Sequence, residues 1–109
     1  DIDFLKGNPR FMSPNLEKNI LATEALRQFA RDMGYSAATV AIAWLLAKGP
    51  HILPIPGTRC SNRLIELAKG TELNLTESDI LQLESLLPVG WAHGDRYSVP
   101  QWVGPERYS

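Results

Sequence analysis

The sequence predicts part of an α/β domain, mostly helical, and three observations carry that prediction. The chain has 109 residues, 44% of them hydrophobic, which suits one ordinary domain or a piece of one. Its patterning reads helix, helix, strand, helix, helix and tail, so a single strand is present to build a sheet. The second helix is apolar all round and needs cover on more sides than these few elements supply. A lone strand cannot satisfy its own backbone groups, so its neighbours are expected from a partner chain or from sequence preceding Asp1.

Residues 1–12 hold Gly7, Asn8 and Pro9 among scattered apolar side chains and read as loop. Two helices are expected within residues 13–48. Ser13-Pro14 opens the first, with the serine as cap and proline at the first helical position. Leu16, Ile20, Leu26, Phe29 and Met33 then share one face, while Glu17, Glu24, Gln28 and Arg31 gather opposite. Gly34 stops this helix and Ser36 caps the next, which runs through Val40, Ile42, Trp44 and Leu46 to Ala47, with Trp44 expected in the core. His51-Ile-Leu-Pro-Ile-Pro56 is the strand, over residues 51–56, of a length typical of one buried on both faces. Pro54 and Pro56 lack the N–H a ladder needs, so pairing is interrupted near its end. Residues 57–70 read as a loop and a helix from Ser61 that ends at Gly70, and residues 76–87 as a helix started by a capping box at Thr76 and Asp79. Residues 88–109 show no period and are ordered only where something holds Trp91, Tyr97, Trp102 and Tyr108.

Charge excludes several functions. With 11 basic and 12 acidic residues the net is −1, which gives no broad positive field for nucleic acid or anionic lipid. The longest apolar run, residues 37–47, is too short to span a bilayer, and the first residues have no secretory pattern, so no membrane partner is expected. One cysteine forms no internal disulfide, which fits the cytoplasm. His51 and His93 stand apart from other ligand types, so no metal site is expected.

The sharpest local signal is the strand end running into a helix, Pro54-Ile-Pro-Gly-Thr-Arg-Cys-Ser-Asn-Arg63. Gly57 lets backbone approach a ligand, the helix from Ser61 leaves amides free at its positive end, and Arg59 and Arg63 flank it. Thr58 and the two arginines make a candidate anion site, against the plainer reading of two solvated surface arginines. Cys60 sits between Arg59 and the helix start, a setting that can lower a thiol pKa, against the plainer reading of a partly buried apolar group.

Ala41-Ile-Ala-Trp-Leu-Leu-Ala-Lys-Gly49, Ile52-Leu-Pro-Ile-Pro-Gly-Thr58, Arg63-Leu-Ile-Glu66 and Leu73-Asn-Leu-Thr76 resemble, in order and spacing, the C-terminal part of the aldo-keto reductases. Asn15-Leu-Glu-Lys-Asn19 upstream and Gly94-Asp-Arg-Tyr97 downstream add to the resemblance, which covers nearly the whole chain. It implies a C-terminal fragment of a (β/α)8 TIM barrel, with residues 51–56 as the eighth strand, in an oxidoreductase that reduces aldehydes or ketones by hydride transfer from NADPH. It further implies that Gly57, Thr58 and Arg59 surround the ribose 2′-phosphate of NADP(H), that Arg63 meets the adenine and that phosphate, and that Glu66 lies near the ribose or adenine edge. The family usually places Asn after that glutamate, whereas Leu67 offers no amide here.

The family's catalytic Asp, Tyr, Lys and His lie on earlier strands, and none of Tyr35, Tyr97, Tyr108, His51 or His93 sits in a matching context. Without an acid to protonate the carbonyl oxygen, these residues alone are expected to be inactive, and the missing N-terminal barrel segment is the implied partner beside a carbonyl or alcohol substrate. Trp91 and Trp102 stand in the tail, which in the family can border the substrate opening. Two alternatives come from other classes. One is a catalytically inactive remnant or helical interaction module. The other is a helix-turn-helix DNA binder built on residues 30–40, disfavoured because Ala37, Ala38, Thr39 and Ala41 cannot read base edges.

Overall fold

A computed structural model of the chain describes residues 6–102. Four α-helices follow one another among the described residues: α1 (Asn15–Asp32), α2 (Ala37–Ala47), α3 (Ser61–Ala68) and α4 (Glu77–Leu86). Single turns of 3-10 helix occur at Pro9–Phe11, Lys69–Thr71 and Val99–Gln101.

Local chemistry sets most of the helix ends. Gly34 adopts φ 78°, a left-handed turn open to glycine at little cost, and the Tyr35 amide then reaches back to the Ala30 carbonyl at 2.9 Å to close α1. Ser36 starts α2 by accepting from the Thr39 amide at 3.1 Å. Thr76 and Asp79 complete a capping box on α4: the Asp79 carboxylate accepts from the Thr76 amide at 2.8 Å, and the Thr76 hydroxyl accepts from the Asp79 amide at 3.2 Å. Thr76 holds the Asp79 carboxyl below its ordinary pKa through both its side chain and its backbone.

The start of α1 corrects the sequence reading. Helix begins at Asn15, Pro14 occupies the cap position, and no side chain caps it. The Leu16 amide, one of the donors a Ser13 cap would serve, already donates to the Met12 carbonyl at 2.9 Å.

Burial explains why α2 is apolar on every side. It packs against α1, α3 and the Lys69–Thr71 turn, and Thr39, Val40, Ile42 and Ala43 are buried. The core gathers Phe29, Ala30, Val40 and Leu83 from α1, α2 and α4. Trp44 is half-buried rather than central: its indole N–H donates to the Glu84 carboxylate at 3.3 Å, and the Lys48 ammonium sits 4.6 Å from its ring while also pairing with Glu84. Lys48, and then Trp44, hold the Glu84 carboxyl below its usual range.

Residues 51–56 form no strand, which corrects the expected β element. His51 lies in a turn, its ring over Gly49, and residues 52–58 carry neither helix nor ladder. A strand is stable only when neighbours take its amides and carbonyls, and the described residues supply no such neighbour. Alternation nevertheless survives: Ile52 and Pro54 are half-buried, whereas Leu53 and Ile55 stand 84% and 90% exposed. That alternation is the burial pattern of a strand with one face on helices and the other uncovered.

The tail is held through its backbone. The Asn19 side chain accepts from the His93 amide at 2.7 Å and donates to the His93 and Arg10 carbonyls at 3.0 and 3.1 Å. Arg10 donates to the Gly94 carbonyl at 3.1 Å, and Tyr97 meets Trp102 edge to face at 5.3 Å. Trp91 is half-buried beside Phe11, Leu16 and Ile20. Tyr108 lies outside the described residues.

Candidate cofactor site

One stretch of chain, residues 57–67, and one residue from a helix remote in sequence build the site. Gly57, Thr58, Arg59, Cys60, Arg63, Glu66 and Leu67 line one cleft of about 770 Å³, and Ala38 of α2 closes its far side. All five residues singled out by sequence as cofactor contacts therefore border a single space. Ala38 was not legible there, because it enters from a helix remote in sequence.

Loop geometry fixes the entry to α3. The Thr58 hydroxyl accepts from the Cys60 amide at 3.2 Å and donates to the Cys60 carbonyl at 3.3 Å, so the chain turns sharply before the helix. The Cys60 carbonyl then accepts from the Leu64 amide at 3.0 Å, the first backbone bond of α3. The amides of Ser61, Asn62 and Arg63 precede that bond and have no acceptor within the helix. They give the cleft a positive end. Gly57 has nothing within 4 Å of where a Cβ would sit, so a ligand can approach its backbone.

Charge in the cleft is one-sided near this end. Arg59 and Arg63 are exposed, and no carboxylate of the described residues pairs with either. Cys60 occupies the cap position of α3 without forming a full cap bond, yet the Arg63 and Asn62 amides together with the Arg63 charge hold its thiol below the ordinary value. Glu66, half-buried, is the cleft's one carboxylate and offers only acceptors. Leu67 and Ala38 supply an apolar wall. An arrangement of two guanidiniums without carboxylate partners, the positive end of a helix, one acceptor and an apolar wall suits an anionic group joined to a flat apolar ring. Among the described residues no three His, Cys, Asp or Glu side chains converge as metal ligands, and no helix is long and apolar enough to cross a membrane.

The profile of the aldo/keto reductase family matches residues 2–88, most of the chain. The chain belongs to that family. It is 33% identical over 93 residues to a protein of Glycine max described as probable aldo-keto reductase 1, covering 85% of this chain and 27% of that one. The chain thus spans about a quarter of the length of this curated relative. No solved structure matches it. The family match ends at residue 88, so the Asn19-held tail lies beyond the matched region.

Proposed function

We propose that these residues form the C-terminal, adenosine-binding part of an NADP(H)-dependent aldo-keto reductase that reduces aldehydes or ketones. The observation that carries the reading is the convergence of Gly57, Thr58, Arg59, Arg63 and Glu66 on one cleft at the amino end of α3. NADP differs from NAD by a 2′-phosphate. A dianion of that kind matches two arginines without carboxylate partners and three amides at a helix start.

The chain's own part is to bind and orient. Arg59 and Arg63 take the phosphate, Gly57 and Thr58 admit it against backbone, and Glu66 accepts from a ribose hydroxyl or the adenine amino group. Leu67 and Ala38 pack on the ribose and base without reading the base edge. The bound cofactor supplies hydride at its nicotinamide, and the groups that protonate the carbonyl oxygen belong to a preceding barrel segment. The exposed pair Leu53 and Ile55 suits cover by that segment, with residues 51–56 entering its sheet as the last strand. We place the enzyme in the cytoplasm, in keeping with the one cysteine of these 109 residues, Cys60, which is free. The family match favours this reading over a helix-turn-helix DNA binder.

The test is turnover by the full-length protein. Given a panel of aldehydes and ketones, it should consume NADPH faster than NADH at equal low concentration. Equal rates with the two cofactors would remove the phosphate-reading role, and no turnover with any carbonyl would favour the remnant.

A further inference from the structure

We infer that Thr39 is a positioning residue for the cofactor cleft, acting by bonding α2 to the backbone of α3 at Glu66. The inference rests on the cofactor reading above and asks what sets the width of the cleft. Thr39 is 1% exposed, inside a helix otherwise composed of apolar residues. A hydroxyl buried there costs stability unless both its donor and its acceptor capacity are used.

Both are used. The Thr39 hydroxyl donates to the Glu66 carbonyl at 2.8 Å. Since it has one proton, the 3.0 Å contact between the Ser36 and Thr39 hydroxyls is donated by Ser36. A relay therefore runs from the cap of α2 through Thr39 to α3. The Glu66 carbonyl is among the last four of α3, which lack a donor within the helix, so Thr39 supplies what the helix cannot.

The bonded pair is adjacent in sequence to the cleft lining on both sides. Ala38, next to Thr39, lines the cleft from α2, while Glu66 itself and Leu67 line it from α3. Gly70 presses the same two segments together, since a Cβ there would lie 2.6 Å from Ile42 and 2.9 Å from the Thr39 carbonyl. A hydrogen bond and a close approach thus fix the distance between Ala38 and α3. Valine at position 39 keeps the shape of threonine and removes the bond, whereas serine keeps the bond and removes a methyl group.

The experiment measures NADPH and NADH dissociation constants, and kcat at saturating cofactor, for Thr39→Val and Thr39→Ser in the full-length protein, below each variant's melting temperature. Thr39→Val should weaken both cofactors by a similar factor of roughly three to ten, with kcat retained, because a displaced wall touches the ribose and base common to both. Thr39→Ser should bind as the parent does. Equal weakening by serine and valine would show that the methyl group matters and the bond does not, and weakened binding in Thr39→Ser by itself would overturn the inference even if the valine variant were too unstable to assay. Unchanged binding in Thr39→Val, with Arg63→Ala still impaired, would overturn the inference and leave the cofactor reading in place. Unchanged binding in both Thr39→Val and Arg63→Ala would remove the cofactor reading and this inference with it.

Discussion

Replacing Arg59 and Arg63 together with alanine in the full-length enzyme is expected to weaken NADPH binding by about a hundredfold while leaving NADH binding within about threefold. Each guanidinium makes charge-assisted hydrogen bonds worth about 1.5 to 3 kcal/mol when formed with an ion, and solvent exposure of both arginines places each at the low end of that range. Two such losses approach 3 kcal/mol, or about two decades in affinity. The single variants should each lose roughly tenfold. Because the phosphate is remote from the nicotinamide, kcat at saturating NADPH should stay close to the parent value. Titration of protein fluorescence with each cofactor measures the effect. Equal losses for NADH and NADPH would mean that the arginines hold the loop or stack on adenine, and the phosphate assignment would fall.

Gly70→Val is expected to have the largest effect on folding. A Cβ at this position would meet Ile42 Cβ and Cγ2 at 2.6 Å and the Thr39 carbonyl at 2.9 Å, and the valine methyl groups would press further into the same helix. Neither neighbour is the free end of a flexible side chain, so α2 and the turn after α3 must separate. Overpacking of that kind costs about 3 kcal/mol, which a shift in the urea midpoint at unchanged slope would report. Gly57→Ala offers the contrast: its Cβ meets nothing within 4 Å, so the midpoint should move by less than about 0.5 kcal/mol equivalent. Similar shifts for the two glycines would contradict the close approach at Gly70.

The parts of the fold legible in the sequence are those decided within a few residues. Gly34, Ser36 and the Thr76 and Asp79 box mark helix ends because the bonds they make span at most five positions. Ser13 misled for the same reason in reverse: the Met12 carbonyl, one residue away, takes the Leu16 amide first. Strand formation at residues 51–56 depends on neighbours distant in sequence, so apolar composition alone does not produce it, and only the alternation of Leu53 and Ile55 with their half-buried neighbours remains.

The candidate site follows the same division. Its lining from Gly57 to Leu67 is nearly continuous in sequence, so a glycine, a helix start and two arginines point to it directly. Thr39 and Gly70 were harder to see. Thr39 had one signal, a hydroxyl in a helix apolar on every side, which a buried helix tolerates only with a partner. Gly70 read as a helix stop, whereas its place in the structure is a contact with Ile42, 28 positions earlier, which no local pattern encodes.

The central claim is that the amino end of α3 holds the 2′-phosphate of NADP(H), and it is tested most directly by adenosine 2′-monophosphate, which carries that phosphate without the rest of the cofactor. In a backbone NMR titration of the full-length protein, the account predicts that the amides of Ser61, Asn62 and Arg63 shift with 2′-AMP and respond far less to adenosine or to 5′-AMP. Shifts of equal size with all three ligands, or shifts that leave these amides untouched, would contradict it.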